Sequence, residues 1–320
     1  MKSFRIMVLI AVVVLLPAWL CGADQIEKSF QVSTGGLLNV QADRASITVT
    51  TQPQAAATVT IIPRGWSVGE MEKDFAIDLH QSGNEIIVEV RARHRLSNWF
   101  GWNSNRIRIE AVIPDNFNVD LKTSGGGISV ADLTGEVRSE TSGGGISLGK
   151  IDGPVYAKTS GGSVELSASK GNAELYTSGG SIRMGDVEGR IVASTSGGSV
   201  TVEHAEGQIQ AETSGGGIHV KEIFGSIDAR TSGGSVSAEL RSQPDGDCRL
   251  QTSGGNITVR LAPDLQFDVD AKTSGGRVKT DVPITVQGTL GKSHVEGRLN
   301  GGGPSLYLRT SGGSISIESI

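Results

Sequence analysis

A chain of 320 residues with 29 Lys and Arg, 34 Asp and Glu and a net charge of −5 is not built to meet nucleic acid. Aromatic residues make up only 4% of it and glycines number 45, so any core is assembled from small aliphatic contributions. Of its two cysteines, Cys21 lies in an N-terminal leader, and no internal disulfide is expected.

Residues 1–23 read as a signal peptide. Lys2 and Arg5 precede an apolar run from Ile6 to Leu20, and Cys21-Gly22-Ala23 supplies small residues before Asp24. The run is short for a membrane span. Acylation of Cys21 is disfavoured because Trp19 and Leu20 precede it, whereas retention as an anchor stays open. Removal of the leader leaves 27 basic against 34 acidic residues, a net charge of −7, and no membrane span. It also leaves Cys248 alone, read as a small buried hydrophobe rather than a reactive thiol. The expected location is the periplasm, the cell surface or the medium.

Residues 24–113 form an irregular β-rich cap or a set of elaborated first coils. Ile26–Val32, Leu37–Ala42, Ser46–Thr51, Thr58–Pro63, Phe75–His80 and Glu85–Arg91 alternate as strands do, with a hairpin turn at Gln81-Ser82-Gly83-Asn84. Ser33-Thr34-Gly35-Gly36 is a worn copy of the motif that dominates the rest of the chain. Trp99, Phe100 and Trp102 fall within four residues. They either plug the end of the core or form an exposed aromatic loop that stacks on sugars or meets a membrane surface.

Residues 114–320 are organised by Thr-Ser-Gly-Gly, beginning at Thr123, Thr141, Thr159, Thr177, Thr195, Thr213, Thr231, Thr252, Thr273 and Thr310. The first seven copies are 18 residues apart, the next two gaps are 21, and the last is 37. An exact short period predicts a solenoid. Counting places from the Thr, aliphatics occupy places 6, 8, 11 and 15, with small residues at 17. This alternation predicts two short strands per coil, near places 5–9 and 14–19. Hexapeptide periodicity is absent, since Thr134 and Glu140 stand where a left-handed β-helix needs aliphatics. The prediction is therefore an all-β, single-chain parallel β-solenoid, right-handed by the general crossover rule. The turn glycines Gly125, Gly143, Gly161, Gly179, Gly197, Gly215, Gly233, Gly254, Gly275 and Gly312 are expected to combine positive φ with close coil packing. The Thr should point inward, either laddering with its neighbours or satisfying a turn amide. A lead-in recurs at Ile113-Pro114-Asp115-Asn116-Phe117 and Ala262-Pro263-Asp264-Leu265-Gln266-Phe267. Residues 281–309 break the period, Asn300-Gly301-Gly302-Gly303 restarts it, and Ser314–Ile320 is read as an unprotected strand edge open to end-to-end self-association.

No catalytic constellation emerges. Asp132 and Asp186 share place 10 but lie three coils apart, roughly 14 Å at the strand spacing. Asp245, Asp247, Asp264 and Asp268 are the best acidic cluster, weakly suited to a hard cation and more ordinary as turn acids. The five histidines show no ligand spacing, and the Gly-Gly turns lack the Lys-Ser/Thr of a phosphate loop. No cofactor is expected. Tyr156 and Tyr176, outward at places 16 and 18 of adjacent coils, are a candidate sugar platform. Glu140 beside Lys158 and Glu212 beside Arg230 are candidate cross-coil pairs.

The leader, Phe30-x-Val32 followed by Gly35-Gly36, the Ile-Pro-Asp-x-Phe-x-Val-Asp lead-in and the serial Thr-Ser-Gly-Gly-x-Ile repeats resemble a group of bacterial β-strand-repeat proteins named as putative adhesins (DUF4097). The resemblance implies an exported β-solenoid and brings no catalytic residues. The expected function is a non-enzymatic binding or scaffolding surface meeting glycan or envelope protein. A polysaccharide-active β-helix enzyme and a self-assembling structural protein are the alternatives.

Overall fold

The computed structural model describes residues 24–93, 107–286 and 291–320. Each regular coil gives one strand to each of two long sheets, as Ile146–Asp152 does to the first and Val155–Lys158 to the second. Successive coils pair in parallel with places kept in register: Ile146, Val164, Ile182 and Val200 form one row, Val155, Ala173, Ile191 and Ile209 another. Both rows are buried. Each such aliphatic contributes on the order of 1.5–3 kcal/mol when fully buried, so stability accumulates coil by coil. The first strand runs on to place 12 rather than stopping at 9, because its alternation slips by one residue there. Places 9 and 10 both face out, and Ile151 and Val187 at place 11 turn back into the core.

The Thr-Ser-Gly-Gly corner works differently from expectation. None of the place-3 glycines has positive φ; among the glycines of the regular coils positive values fall at place 13, on Gly135, Gly153, Gly189 (140°) and Gly207 (132°). Close packing is the constraint at the corner, and it is tightest at place 4. A Cβ on Gly198 would lie 2.1 Å from the Gly180 carbonyl oxygen, whereas one on Gly197 would lie 3.2 Å from that of Gly179. The threonines are buried but do not ladder with each other. The Thr177 hydroxyl donates to the Gly162 carbonyl of the preceding coil at 2.7 Å and accepts from its own coil's Gly180 amide at 3.3 Å. The turn-amide reading is therefore right, with an added bond that ties each coil to the last.

The two ends depart from sequence order. Strand Phe117–Thr123 pairs with Gly36–Ala42, which pairs in turn with Glu85–Ala92. In the other sheet Ile128–Val130 pairs with Ala45–Gln52, and that with Ile107–Pro114. The strand pair 36–42 and 45–52 thus lies between strands 85–92 and 107–114 on one side and 117–123 and 128–130 on the other. At the far end Ser305–Thr310 lies between Cys248–Thr252 and Phe267–Thr273, and Ile315–Ser319 between Ile257–Leu261 and Val278–Thr280. The recurring lead-in is the segment that steps over the inserted coil, once at each end. Each crossing drops a fully buried phenylalanine, Phe117 or Phe267, into the core. The glycine turn of each inserted coil makes room for it: a Cβ on Gly36 would meet the Phe117 ring at 2.3 Å, and one on Gly303 the Gln266 carbonyl at 2.7 Å.

This corrects the expectation of an open C-terminal edge, since the last coil in sequence has a partner on both sides. At the C-terminal end the second sheet closes in antiparallel strands, while the first ends on the parallel strand Val278–Thr280. His294–Leu299 covers Phe267–Thr273 and is itself paired by Ile284–Val286. At the N-terminal end, Phe75–Ser82 covers Glu85–Ala92, Ala56–Pro63 covers Ile107–Pro114, and Ile26–Gln31 pairs outside Ala56–Pro63. A short helix, Val68–Asp74, joins those outer strands across the end of the core. Ser67 and Glu70 form its capping box, and Met71 beneath it is buried. The bond from the Ser67 backbone amide holds the Glu70 carboxyl below its ordinary value.

Candidate functional site

Outward places of the second sheet build the face of interest. Along place 16, neighbours in register run Tyr156, Glu174, Val192, Gln210, Asp228, Arg249 and Tyr307. Tyr156 and Tyr176 meet as expected, with ring centroids 5.8 Å apart at 48°. The Arg138 guanidinium lies 4.3 Å from the Tyr156 ring centre and is hydrogen-bonded by Glu140, which holds its pKa up. Burial and the adjacent Glu174 carboxylate raise the Tyr176 hydroxyl pKa; that hydroxyl donates to Glu174 at 3.3 Å. Beside this platform, around the Thr-Ser-Gly-Gly corner, an open groove of about 470 Å³ is lined by Lys122, Lys158, Ser142 and Ser160 together with Asp43 and Glu140.

The arginine–tyrosine pair recurs six rungs further on, with an arginine in place of the second tyrosine. Arg249 and Tyr307 are register partners with the guanidinium 5.4 Å from the ring, and Arg309 stacks on Tyr307 at 4.0 Å. Arg309 is fixed by Asp270, which also bonds His294 at 3.1 Å. Burial pushes the Asp270 carboxyl up, but Arg309 and His294 more than offset it and hold the group below its ordinary range. The adjoining groove, about 430 Å³, is lined by Arg230, Lys272, Arg309, Ser253 and Ser311. Sequence reasoning missed this site because Arg249 and Tyr307 are 58 residues apart, and only the inserted coil brings them together. The signal was the restart at Asn300-Gly301-Gly302-Gly303.

The remaining sequence candidates have separate places. Trp99, Phe100 and Trp102 lie outside the described residues. Asp247 accepts from the Ser305 amide at 2.8 Å and Asp268 pairs with Arg298 at 3.5 Å, while Asp245 and Asp264 are exposed in separate turns. Among the described residues no group of three acids, histidines or cysteines is placed to hold a metal. The expanded turn that carries Asp245 and Asp247 pins the crossing, since Gln243 bonds both the amide (2.8 Å) and the carbonyl (3.0 Å) of Gln266. Glu140 and Lys158 are register partners, as are Glu212 and Arg230, yet the ion pairs form within strands, Arg138 to Glu140 and Arg230 to Asp228. Cys248 is buried in the core, and burial pushes its thiol up to about 11. On the other sheet a groove of about 440 Å³ holds Asp132 and Asp186, but Asp132 caps the Lys150 amide at 2.8 Å and the two acids stay three rungs apart. Among the described residues no helix is long and apolar enough to cross a membrane.

Solved structures match most of the chain at low identity and low TM-score. A putative adhesin from Bacteroides fragilis is 11% identical, with 92% of this chain and 97% of that one covered at a TM-score of 0.33. A putative adhesin from Parabacteroides distasonis is 11% identical, with 93% and 98% covered at 0.37. A putative lipid binding protein from the same species is 12% identical, with 93% and 97% covered at 0.32. No curated protein matches the chain. The family model described as Toastrack DUF4097 matches residues 38–318, which span the inserted coils as well as the regular ones, and the chain belongs to that family.

Proposed function

We propose that the protein is an exported, non-enzymatic binding surface of the cell envelope, and that the outer face of its second sheet takes a glycan. The observation that carries this reading is the Arg138–Tyr156–Tyr176 stack beside an open polar groove. Tyrosine rings offer a flat apolar face with a polar rim, which suits a sugar ring, and Lys158, Ser142 and Ser160 lie where its hydroxyls would be met. The non-enzymatic part is supported by the pair that shares place 10: Asp132 and Asp186, three rungs apart, sit at roughly 14 Å, beyond the ~9.5 Å limit for a cooperating pair in glycoside hydrolysis, and Asp132 is engaged with the Lys150 amide.

The test is co-sedimentation of the purified protein with envelope and polysaccharide fractions of the producing cell. It would run beside a Tyr156→Ala/Tyr176→Ala double variant and a Trp99→Ala/Phe100→Ala/Trp102→Ala triple variant. Saturable binding lost in the first variant with its melting unchanged supports the reading. Loss only in the second would move the contact to the aromatic loop, and release of new reducing ends by the parent would make the protein an enzyme.

A further inference from the structure

We propose that the inserted C-terminal coil builds a second site around an arginine–tyrosine pair, and that the two sites together hold one linear acidic glycan laid along the rod. The inference rests on the glycan reading above and goes beyond it in ligand class and valency.

Three observations converge. The first is repetition: Arg138 with Tyr156, and Arg249 with Tyr307, are the same residue types at the same place of adjacent coils, each stacked on the same face. Nothing in the repeat demands this, since place 16 otherwise holds Glu174, Val192, Gln210 and Asp228. The second is charge. The groove beside Tyr307 is lined by Arg230, Lys272 and Arg309; Asp228 pairs with Arg230 and Asp270 with Arg309 from outside the lining, which leaves Lys272 as its uncompensated cation among the described residues. Among the described residues neither Lys158 at the first groove nor Lys272 at the second is held in an ion pair. A cationic lining beside a stacking ring selects a sugar that carries an anionic group, for which a uronate carboxylate is the simplest case. The third is geometry. Both grooves follow the same corner of the rod, and six rungs separate Tyr156 from Tyr307, about 29 Å at the strand spacing. Between them the exposed Ser178, Ser196, Ser214 and Ser232 of the turns keep the corner small and polar. Two sites fixed on one rigid sheet raise the effective concentration of the second contact once a chain is long enough to reach both.

The experiment is calorimetric titration of the full-length protein with galacturonate oligomers shorter and longer than that separation, with neutral dextran as control. Short oligomers are expected to bind with two equivalents, and long ones with one equivalent at least tenfold more tightly. Tyr307→Ala should reduce the short-oligomer stoichiometry to one and remove the gain with length. Arg249→Gln, which leaves the strand's core side chains in place, should do the same in weaker form and guards against misfolding, with melting checked for both. One equivalent of short oligomer in the parent, unchanged by either variant, would overturn the second site. Equal binding of dextran would overturn the acidic assignment while leaving the glycan reading intact. Failure of every saccharide to bind the parent would sink that reading and this one together.

Discussion

Between Val137 and Leu261 every coil lies beside its neighbour in sequence, whereas each end of the rod holds one coil between partners distant from it in the chain. The middle needs only short crossovers and a Gly-Gly corner tight enough for backbone to touch backbone. The ends need a longer crossing, a buried phenylalanine and a glycine turn that opens around it. The two ends also differ from each other. At the N-terminal end the inserted coil 36–52 precedes its neighbours, so the chain can lay coil 85–114 outside it and step over. At the C-terminal end coil 305–319 comes after both its neighbours in the chain. A strand with an open edge invites pairing with other chains. Antiparallel strands lie outermost in both sheets at the N-terminal end and in the second sheet at the C-terminal end, whereas Val278–Thr280 of a periodic coil stands at the end of the first sheet.

The largest effect should come from breaking the middle. Gly198→Val places a branched side chain where a Cβ already meets the Gly180 carbonyl at 2.1 Å. We expect a loss of about 4 kcal/mol or more, from overpacking against backbone that cannot move without its own coil. Gly197→Val, at 3.2 Å and without positive φ, should cost clearly less. Thermal unfolding of the two variants side by side checks the ranking, and equal melting temperatures would contradict the place-4 assignment.

The crossings come next. Phe117→Ala and Phe267→Ala each empty a fully buried aromatic position, and about 3–5 kcal/mol is expected for either. If chain order sets the order of closing, the C-terminal slot closes last, and Phe267→Ala should speed unfolding more than it slows refolding, with the balance at Phe117 shifted toward slower refolding. Stopped-flow unfolding and refolding limbs of both variants measure this directly. Identical partitioning would mean that sequence order has no bearing on how the ends close.

The same contrast explains what could be read from sequence. Places 6, 8, 11 and 15 were legible because a solenoid repeats its burial pattern with its sequence. The inserted coils were not, since adjacency in the chain is the default assumption and nothing local states that Leu306 pairs with Cys248. The doubled lead-in was visible, but its meaning as a crossing needed the pairing. Positive φ was placed on the wrong glycines because two reasons for glycine, conformation and close approach, leave the same letter in the sequence. The helix at Val68–Asp74 is announced in the sequence by its Ser67-x-x-Glu70 box. Of the site, Tyr156 and Tyr176 were legible from place numbers alone, and Tyr307 was not, because its partner is 58 residues away.

A smaller effect tests the threonine. Thr195→Val keeps the shape but strands the Gly180 carbonyl and the Gly198 amide, each bonded by the hydroxyl, at 2.8 and 3.4 Å. Leaving such groups unpaired inside the corner should cost about 1–3 kcal/mol. Denaturant midpoints of Thr195→Val and Thr195→Ser give the measurement, the serine recovering most of the loss. A neutral valine would show that the hydroxyl ladder is dispensable and that corner stability comes from glycine packing alone.

The smallest effect belongs to the C-terminal end. Asp270 joins Phe267–Thr273 to the inserted strand through Arg309, and to the covering strand through His294. Its folded pKa lies below the ordinary 3.8, so its contribution is fully present above that value and is lost as pH falls through the folded pKa. With the carboxylate about a third exposed, solvent screening keeps that contribution under about 1 kcal/mol. Asp270→Asn should therefore be slightly less stable than the parent at neutral pH, with the gap closing as pH drops below 3.8. Local exchange should place the loss in Ser305–Thr310 and leave Gly36–Ala42 unchanged, because the inserted coil at the other end is not held by this pair. A gap that persists at low pH would mean that the carboxamide disturbs packing rather than charge. An equal loss in both inserted strands would mean that the ends are coupled through the whole rod, against the coil-by-coil independence that a solenoid predicts.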